Sequence, residues 1–247
     1  AKIVFTSHLI MEQPPVWRML NRIFTPHDHA VLTVCTYGKE VLERGGVAKD
    51  KIRIVFNGVD APAAPRRDRT VLREFGISDE EKVITILTRF SAEKGVPFLL
   101  RSIAKLKAQT AVPFRLLLVG TGPDFDRDKA LIPELGIEDK VVLTGFRTDT
   151  ARLLAASDIY LNSSSSEAMS FAILEAMAAG LPLVLTRVGG NPELVNTGEI
   201  CGLLAPYGDE NAYAEAIARL LEDDALRASF AAASRAKATV EFDLYTL

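Results

Sequence analysis

From residue 70 onward the chain alternates short apolar, β-branched runs with helix-length amphipathic stretches, and this rhythm leaves few folds open to it. Strands are expected at 83–87, 115–119, 141–143, 159–161, 183–185 and 203–204, with helices in the gaps and a terminal helix pair at 211–221 and 225–239. Parallel neighbours need a crossover of a dozen or more residues, and strands covered on both faces read as unbroken apolar runs. The pattern predicts an α/β fold, a Rossmann-like parallel sheet flanked by helices.

The first 60 residues carry the same alternation in a shorter form, with strands expected at 3–6, 31–35 and 52–56 and helices at 16–24 and 36–44. Three strands are too few to close a core, so this segment reads as part of a second Rossmann-like domain. Residues 61–69, A-P-A-A-P-R-R-D-R, have two prolines, four charges and no hydrophobic period, which marks a linker. The expected organisation is therefore 1–60, a linker at 61–69, and a main domain at 70–247. The stripe Val16, Trp17, Leu20 and Phe24, with Arg18 and Arg22 beside it, reads either as a membrane-surface helix or as a helix packed on its own sheet. Packing is the favoured account, because the helix is short.

Composition excludes several classes. No run of 18 apolar residues and no signal peptide occur, and the net charge of -3 is made of interspersed signs, so nucleic acid is not an expected partner. Cys35 and Cys201 form no metal or redox motif, which points to a reduced, cytoplasmic setting. His27 and His29 have no further ligand candidates near them, and Asp126-x-Asp128 lies among Arg127 and Lys129 as a solvated charge cluster, so no metal site is expected. There is no Ser-His-Asp set and no phosphate-binding P-loop, and the G-T-G of Gly120–Gly122 lacks the third glycine of a dinucleotide fingerprint.

The stretch 162–182, N-S-S-S-S-E-A-M-S-F-A-I-L-E-A-M-A-A-G-L-P, reads as a strand end, a loop and a helix starting near Ser170, stopped by Gly180 and Pro182. A helix N-terminus directly after a strand offers unpaired N–H groups and a positive dipole end, a seat for phosphate. Glu167 and Glu175 bracket that seat. Neither can lie against the phosphate, since like charges about 4 Å apart repel by roughly 4 kcal/mol at an effective dielectric near 20; they must face hydroxyls.

Glu-x7-Glu followed by A-x-G-x-P resembles the signature of the retaining glycosyltransferases of family 4, which have the two-domain GT-B fold and transfer a sugar from a nucleotide diphosphate. The resemblance implies that Glu167 holds hydroxyls of the donor sugar and Glu175 the ribose. The family's glycines between them are replaced here by Ala168, Met169 and Ser170. Arg89-x4-Lys94-Gly95 resembles the family's pair of cations on the donor diphosphate, and Val188-Gly-Gly-Asn-Pro-Glu193 resembles the segment after a later strand.

By the same resemblance Gly122, Phe146, Arg147 and Asp149 lie near the nucleotide, and Met169, Ser170, Phe171 and Ala172 present the phosphate seat. Asp149 alone reads equally as a helix cap. His8 matches a family histidine near the transferred sugar. The implied activity is retaining hexosyl transfer from a UDP-sugar or GDP-sugar to a sugar, lipid or small-molecule acceptor, in glycoconjugate or polysaccharide biosynthesis, with no cofactor and no metal. The implied rival is a nucleotide-sugar binding fragment, inactive without further N-terminal strands. Those strands are expected outside this chain, with a peripheral membrane contact through them or a partner chain completing the sheet as further expectations.

Overall fold

Two parallel sheets organise the chain in a computed structural model that describes residues 3–8, 14–61 and 67–245. The first has the order β1-β2-β3, with β1 at Val4–Ser7, β2 at Ala30–Thr33 and β3 at Ile52–Ile54; α1 (Pro15–Phe24) and α2 (Thr36–Arg44) connect them. The second is built of β4 (Lys82–Leu87), β5 (Phe114–Val119), β6 (Val141–Gly145), β7 (Ile159–Asn162), β8 (Leu183–Thr186) and β9 (Gly202–Ala205). Its order is β6-β5-β4-β7-β8-β9, every pair parallel. The crossovers are α3 (Val96–Gln109), α4 (Phe125–Glu134), α5 (Thr150–Ala156), α6 (Phe171–Ala178) and α7 (Asn191–Asn196); α8 (Glu210–Glu222) and α9 (Asp224–Val240) follow. After β6 the chain returns to the far side of β4, so the order reverses between β4 and β7. In open α/β sheets ligands bind at the carboxyl ends beside such a reversal.

Alternation along each strand splits the core into two layers. Ile84, Ile86, Leu116, Leu118, Ile159 and Leu161 face α3 and α8, where Leu99, Ile103, Tyr213 and Ile217 are fully buried. Tyr160, Leu183 and Leu185 face the other way, against Ile173, Leu174 and Met177 of α6 and Ala233 and Ala238 of α9. Helix α6 is apolar on most of its circumference because it lies between the sheet and α9. Full burial of each such side chain contributes about 1.5–3 kcal/mol.

The two sheets also meet directly. Beyond α9 the chain runs back so that Val59 N–H donates to Phe242 O at 2.8 Å and Leu244 N–H to Val59 O at 3.2 Å. Glu193 of α7 accepts from Thr36 N–H at 2.8 Å and Thr36 Oγ at 2.6 Å, closing the N-terminus of α2. Asn57 gives its backbone N–H to Met169 Sδ and its side-chain N–H to Met169 O.

Two sequence expectations change. The α1 stripe is not packed on its own sheet within the described residues: Trp17, Met19, Ile23 and Phe24 are exposed, and no α1 residue is buried. Val4 and Phe5 of β1, and Ile3 before it, are exposed as well among the described residues. Asp128 is not solvated either. It is the inward residue of α4, 0% exposed; Arg127 holds one oxygen at 2.9 Å and the other has no partner, and burial pushes its pKa up. Asp126 does face solvent. Among the described residues no helix is long and apolar enough to cross a membrane.

Residues 62–66 of the expected linker lie outside the described residues, but its end is anchored. Asp158, just before β7, accepts from Arg67, from Arg69 at 3.3 Å and from the Val83 backbone N–H at 2.8 Å. Asp158 is 6% exposed, at the amino end of β7 beside β4, opposite the carboxyl edge of the sheet. Removing one partner of a buried pair leaves the others uncompensated, so Asp158→Ala should cost about 3 kcal/mol in urea unfolding; a loss below about 1 kcal/mol would place this cluster with ordinary surface pairs.

Candidate functional site

The loops after β4 and β7 are stitched together at the reversal. Gly95 takes the left-handed φ of +64°, and a Cβ there would lie 2.2 Å from Ser163 O, so only glycine lets the loops approach this closely. Ser163 Oγ donates to Lys94 O at 2.9 Å and Ser165 N–H to Glu93 O at 2.8 Å. On this platform Lys94 Nζ lies 2.9 Å from Glu167 Oε2, both half-buried.

Glu167 is aimed by a buried polar layer that sequence reasoning missed. Ser164 Oγ donates to it at 3.0 Å, and Thr186 Oγ1 donates to Ser164 O at 2.7 Å. Asn191 Nδ2 donates to Asn162 Oδ1 at 3.1 Å, while the Tyr213 hydroxyl donates to Asn162 O at 2.9 Å. Asn162, Ser164, Thr186, Asn191 and Tyr213 are all buried. The one available signal was the run of polar residues directly after an apolar strand, where a buried polar group must find partners.

Helix α6 begins on the same edge. Ser170 is its N-cap, yet its hydroxyl makes no capping bond, so the first-turn N–H groups stay open toward the cleft. The chain reaches this geometry without left-handed residues at Ala168, Met169 or Ser170, since no described non-glycine residue has positive φ. Phe171 and Glu175 are four residues apart on the exposed face of α6, with Ala172 half-buried beside them. Glu175 makes no hydrogen bond or ion pair among the described residues, and the surrounding protein pushes its pKa up by desolvation. Tyr160 lies beneath, its phenol pushed up by burial and by the fields of Glu167 and Glu175.

A cavity of about 620 Å³ opens at the carboxyl ends of β4, β5 and β6, lined by Arg89, Gly120, Gly122, Phe146, Arg147 and Thr150. That volume suits a ligand of nucleotide size. Gly120, at φ +133°, would place a Cβ 1.9 Å from Thr88 O, so the floor of the cavity depends on it. Arg89 is exposed and makes no side-chain hydrogen bond or close ion pair among the described residues, although its charge helps hold the Glu93 carboxyl low. Phe146 is 75% exposed, an apolar face turned to solvent. Arg147 instead forms a two-pronged pair with Asp149, 2.8 Å on each arm, and reaches Glu74 at 2.8 Å. This pairing holds the Asp149 carboxyl below its usual range. Asp149 occupies the N-cap of α5, but its side chain makes no capping bond; the helix-cap reading is corrected to a clamp on Arg147.

The structure thus groups Lys94 with Glu167, Phe171 with Glu175, and Arg89 with Gly122, Phe146 and Arg147. Met169 is set apart: its side chain is buried between the two sheets with Val34, Cys35 and Val59. His8 follows β1 on the other sheet, exposed and without a hydrogen bond among the described residues. No group of three or more His, Cys, Asp or Glu able to hold a metal occurs among the described residues.

A carboxylate whose folded pKa is raised above the ordinary 4.5 favours the protonated folded state, so its charge opposes folding once pH rises through that range. Glu175→Gln should therefore raise the melting temperature near pH 7, with the gain fading at about pH 4. An unchanged or lowered melting temperature near pH 7 would mean that Glu175 is not held at a cost to stability.

Residues 68–237 match the family of glycosyl transferases group 1. The chain is 37% identical to N-acetyl-alpha-D-glucosaminyl L-malate synthase of Bacillus anthracis over 192 residues, 77% of this chain and 50% of that one. It is 31% identical to D-inositol 3-phosphate glycosyltransferase of Corynebacterium glutamicum over 189 residues, 72% of this chain and 45% of that one. Anabaena HepE, solved in complex with UDP, superposes with a TM-score of 0.88 at 26% identity, covering 99% of this chain and 69% of that chain. The chain spans about half the length of the curated relatives it matches. With a fold of the GT-B glycosyltransferase type and a family match running through all six strands of the large sheet, this chain belongs to the glycosyl transferases group 1 family.

Proposed function

We propose that the chain is the donor-binding part of a retaining, family 4 glycosyltransferase that takes a nucleotide diphosphate sugar, UDP-linked in the first instance and GDP-linked in the second. The observation that carries this reading is the Lys94–Glu167 pair at the strand-order reversal, beside the exposed Arg89 and the open N-terminus of α6. The HepE complex with UDP supports the choice of base. In this reading the nucleoside lies in the cavity by Phe146 and Gly122, with Glu175 taking ribose hydroxyls. The diphosphate lies between Arg89, Lys94 and the first turn of α6, and the sugar lies against Glu167.

In the transfer step the bond from the anomeric carbon to the β-phosphate oxygen breaks while the acceptor oxygen bonds to that carbon from the same face. The acceptor's proton passes to a β-phosphate oxygen. Negative charge grows on the leaving phosphate, and fixed cations and helix N–H groups stabilise growing charge more than they stabilise the ground state. Arg89 and Lys94 fill the role a metal would otherwise take, so the reading needs none. The ion pair between Lys94 and Glu167 keeps the two charges in place until diphosphate and sugar hydroxyls replace it. His8 would approach the sugar from the first sheet, on the acceptor side. The free, buried Cys35 and Cys201 favour a cytoplasmic setting.

A second reading, a binding unit that needs more protein for transfer, is favoured by the first sheet, where Ile3, Val4, Phe5, Trp17 and Phe24 are each exposed. Further strands or a partner chain would cover that surface. Both readings are tested by incubating the chain with UDP-glucose and following release by proton NMR. The first reading expects slow release of glucose with the donor's α configuration, slowed about 100-fold by Arg89→Ala. The β-anomer appearing first would contradict retention, and UDP binding without any release would select the second reading.

A further inference from the structure

Strand order turns the carboxyl edge of the large sheet into an axis. The nucleotide-sized cavity lies over β6, β5 and β4, Lys94 follows β4, and Glu167 follows β7. The next position along this axis is the loop after β8, and a second cavity of about 360 Å³ opens there. It is lined by Arg187, Val188 and Gly189 from that loop, Ser165 and Ser166 from the β7 loop, and Tyr37 from α2 on the first sheet. Its walls thus come from both sheets, on the side of Glu167 away from the nucleotide cavity.

The chemistry of this cavity is one-sided. Arg187 is exposed, and its guanidinium makes no ion pair or hydrogen bond among the described residues; most other arginines near the carboxyl edge, Arg147 among them, are matched to carboxylates. The Ser166 and Tyr37 hydroxyls are likewise without hydrogen bonds, and among the described residues no acidic side chain lines the space. Glu193, the carboxylate nearest in sequence to this loop, does not line the cavity, and both its oxygens are engaged by Thr36 at the N-terminus of α2. Gly189 takes a φ of +50°, and its backbone N–H has no acceptor among the described residues. An unmatched guanidinium with two free hydroxyls and an open backbone N–H is a donor set for an oxyanion, because the guanidinium fork fits planar carboxylate and phosphate oxygens.

We infer that this cavity binds an anionic group, a phosphate or carboxylate, on the acceptor, and that Arg187 is the residue that selects for it. The inference rests on the donor reading above only for the direction of the axis; the donor set itself is independent of it. An acceptor held there would have its charged group at Arg187 and its reactive hydroxyl toward Glu167. Acceptor choice would then depend in part on the donor-binding domain.

The probes are inorganic phosphate and malonate, with glycerol as the neutral control, titrated calorimetrically into the chain with and without saturating UDP. The expected result is that an anion binds to the UDP-loaded chain while glycerol does not. Arg187→Gln should weaken that binding about tenfold or more, with part of the loss restored by Arg187→Lys. Circular dichroism melting establishes that both variants are folded. Equal anion affinity in the unmodified chain and in Arg187→Gln, or no anion binding to the loaded chain, would overturn the inference. If UDP itself fails to bind, the donor reading falls, and the titrations without UDP still decide the role of Arg187 by the same comparison.

Discussion

The close approach of the loops after β4 and β7 is the contact on which the rest of the site depends. It requires a residue without a Cβ at Gly95, since Ser163 O occupies the space a side chain would need. Once the loops meet, Lys94 and Glu167, 73 residues apart in sequence, come within 2.9 Å at the place where the sheet reverses its strand order. The buried layer beneath them, from Asn162 to Tyr213, gives Glu167 a single direction. Most of this buried layer is hydrogen-bonded, with Asn191 Oδ1 the one atom of it left without a partner among the described residues, and such a network fixes side-chain geometry.

Charge is used in two ways across the molecule. At the amino end of the sheet Asp158 is surrounded by Arg67, Arg69 and a backbone N–H, and the cluster ties the segment before β4 to β7. At the carboxyl end Arg89, Glu175 and Arg187 are exposed and make no side-chain hydrogen bond or close ion pair among the described residues, and Glu175 is held in surroundings that disfavour its charge. The carboxyl end also holds the Lys94–Glu167 and Arg147–Asp149 pairs, so it mixes paired and unpaired charges where the amino end has the Asp158 cluster.

Strand and helix positions were legible because apolar runs between turn residues report burial directly; α2 and α6 begin within a residue of where the sequence places them. Arg89 and Glu175 were singled out by the family resemblance; the structure sets Arg89 in the loop after β4, lining the larger cavity, and Glu175 on the exposed face of α6. What local pattern cannot carry is the set of partners brought in by tertiary packing. The Lys94–Glu167 pair depends on β4 and β7 becoming neighbours, and the five residues beneath Glu167 come from β7, β8, α7 and α8. Met169, in the turn expected to present backbone N–H groups, has its side chain buried between the two sheets and its sulfur and carbonyl bonded to Asn57, contacts that local pattern does not report. Asp128 has charged neighbours in sequence but points inward, because its position on α4 matches that of Ile132 one turn later. The exposed α1 face was misjudged for a different reason: amphipathic spacing tells which side wants cover and says nothing about whether the cover belongs to the same three strands.

The central claim is that the carboxyl edge of the large sheet is a nucleotide diphosphate site with Glu175 on the ribose. The measurement that tests it most directly is calorimetric titration of this chain with UDP, GDP and ADP, repeated for Glu175→Ala. The account predicts that one nucleotide, UDP first, binds the unmodified chain and that the substitution abolishes or strongly weakens that binding. Binding of none of the three, or binding unchanged in Glu175→Ala, would contradict it.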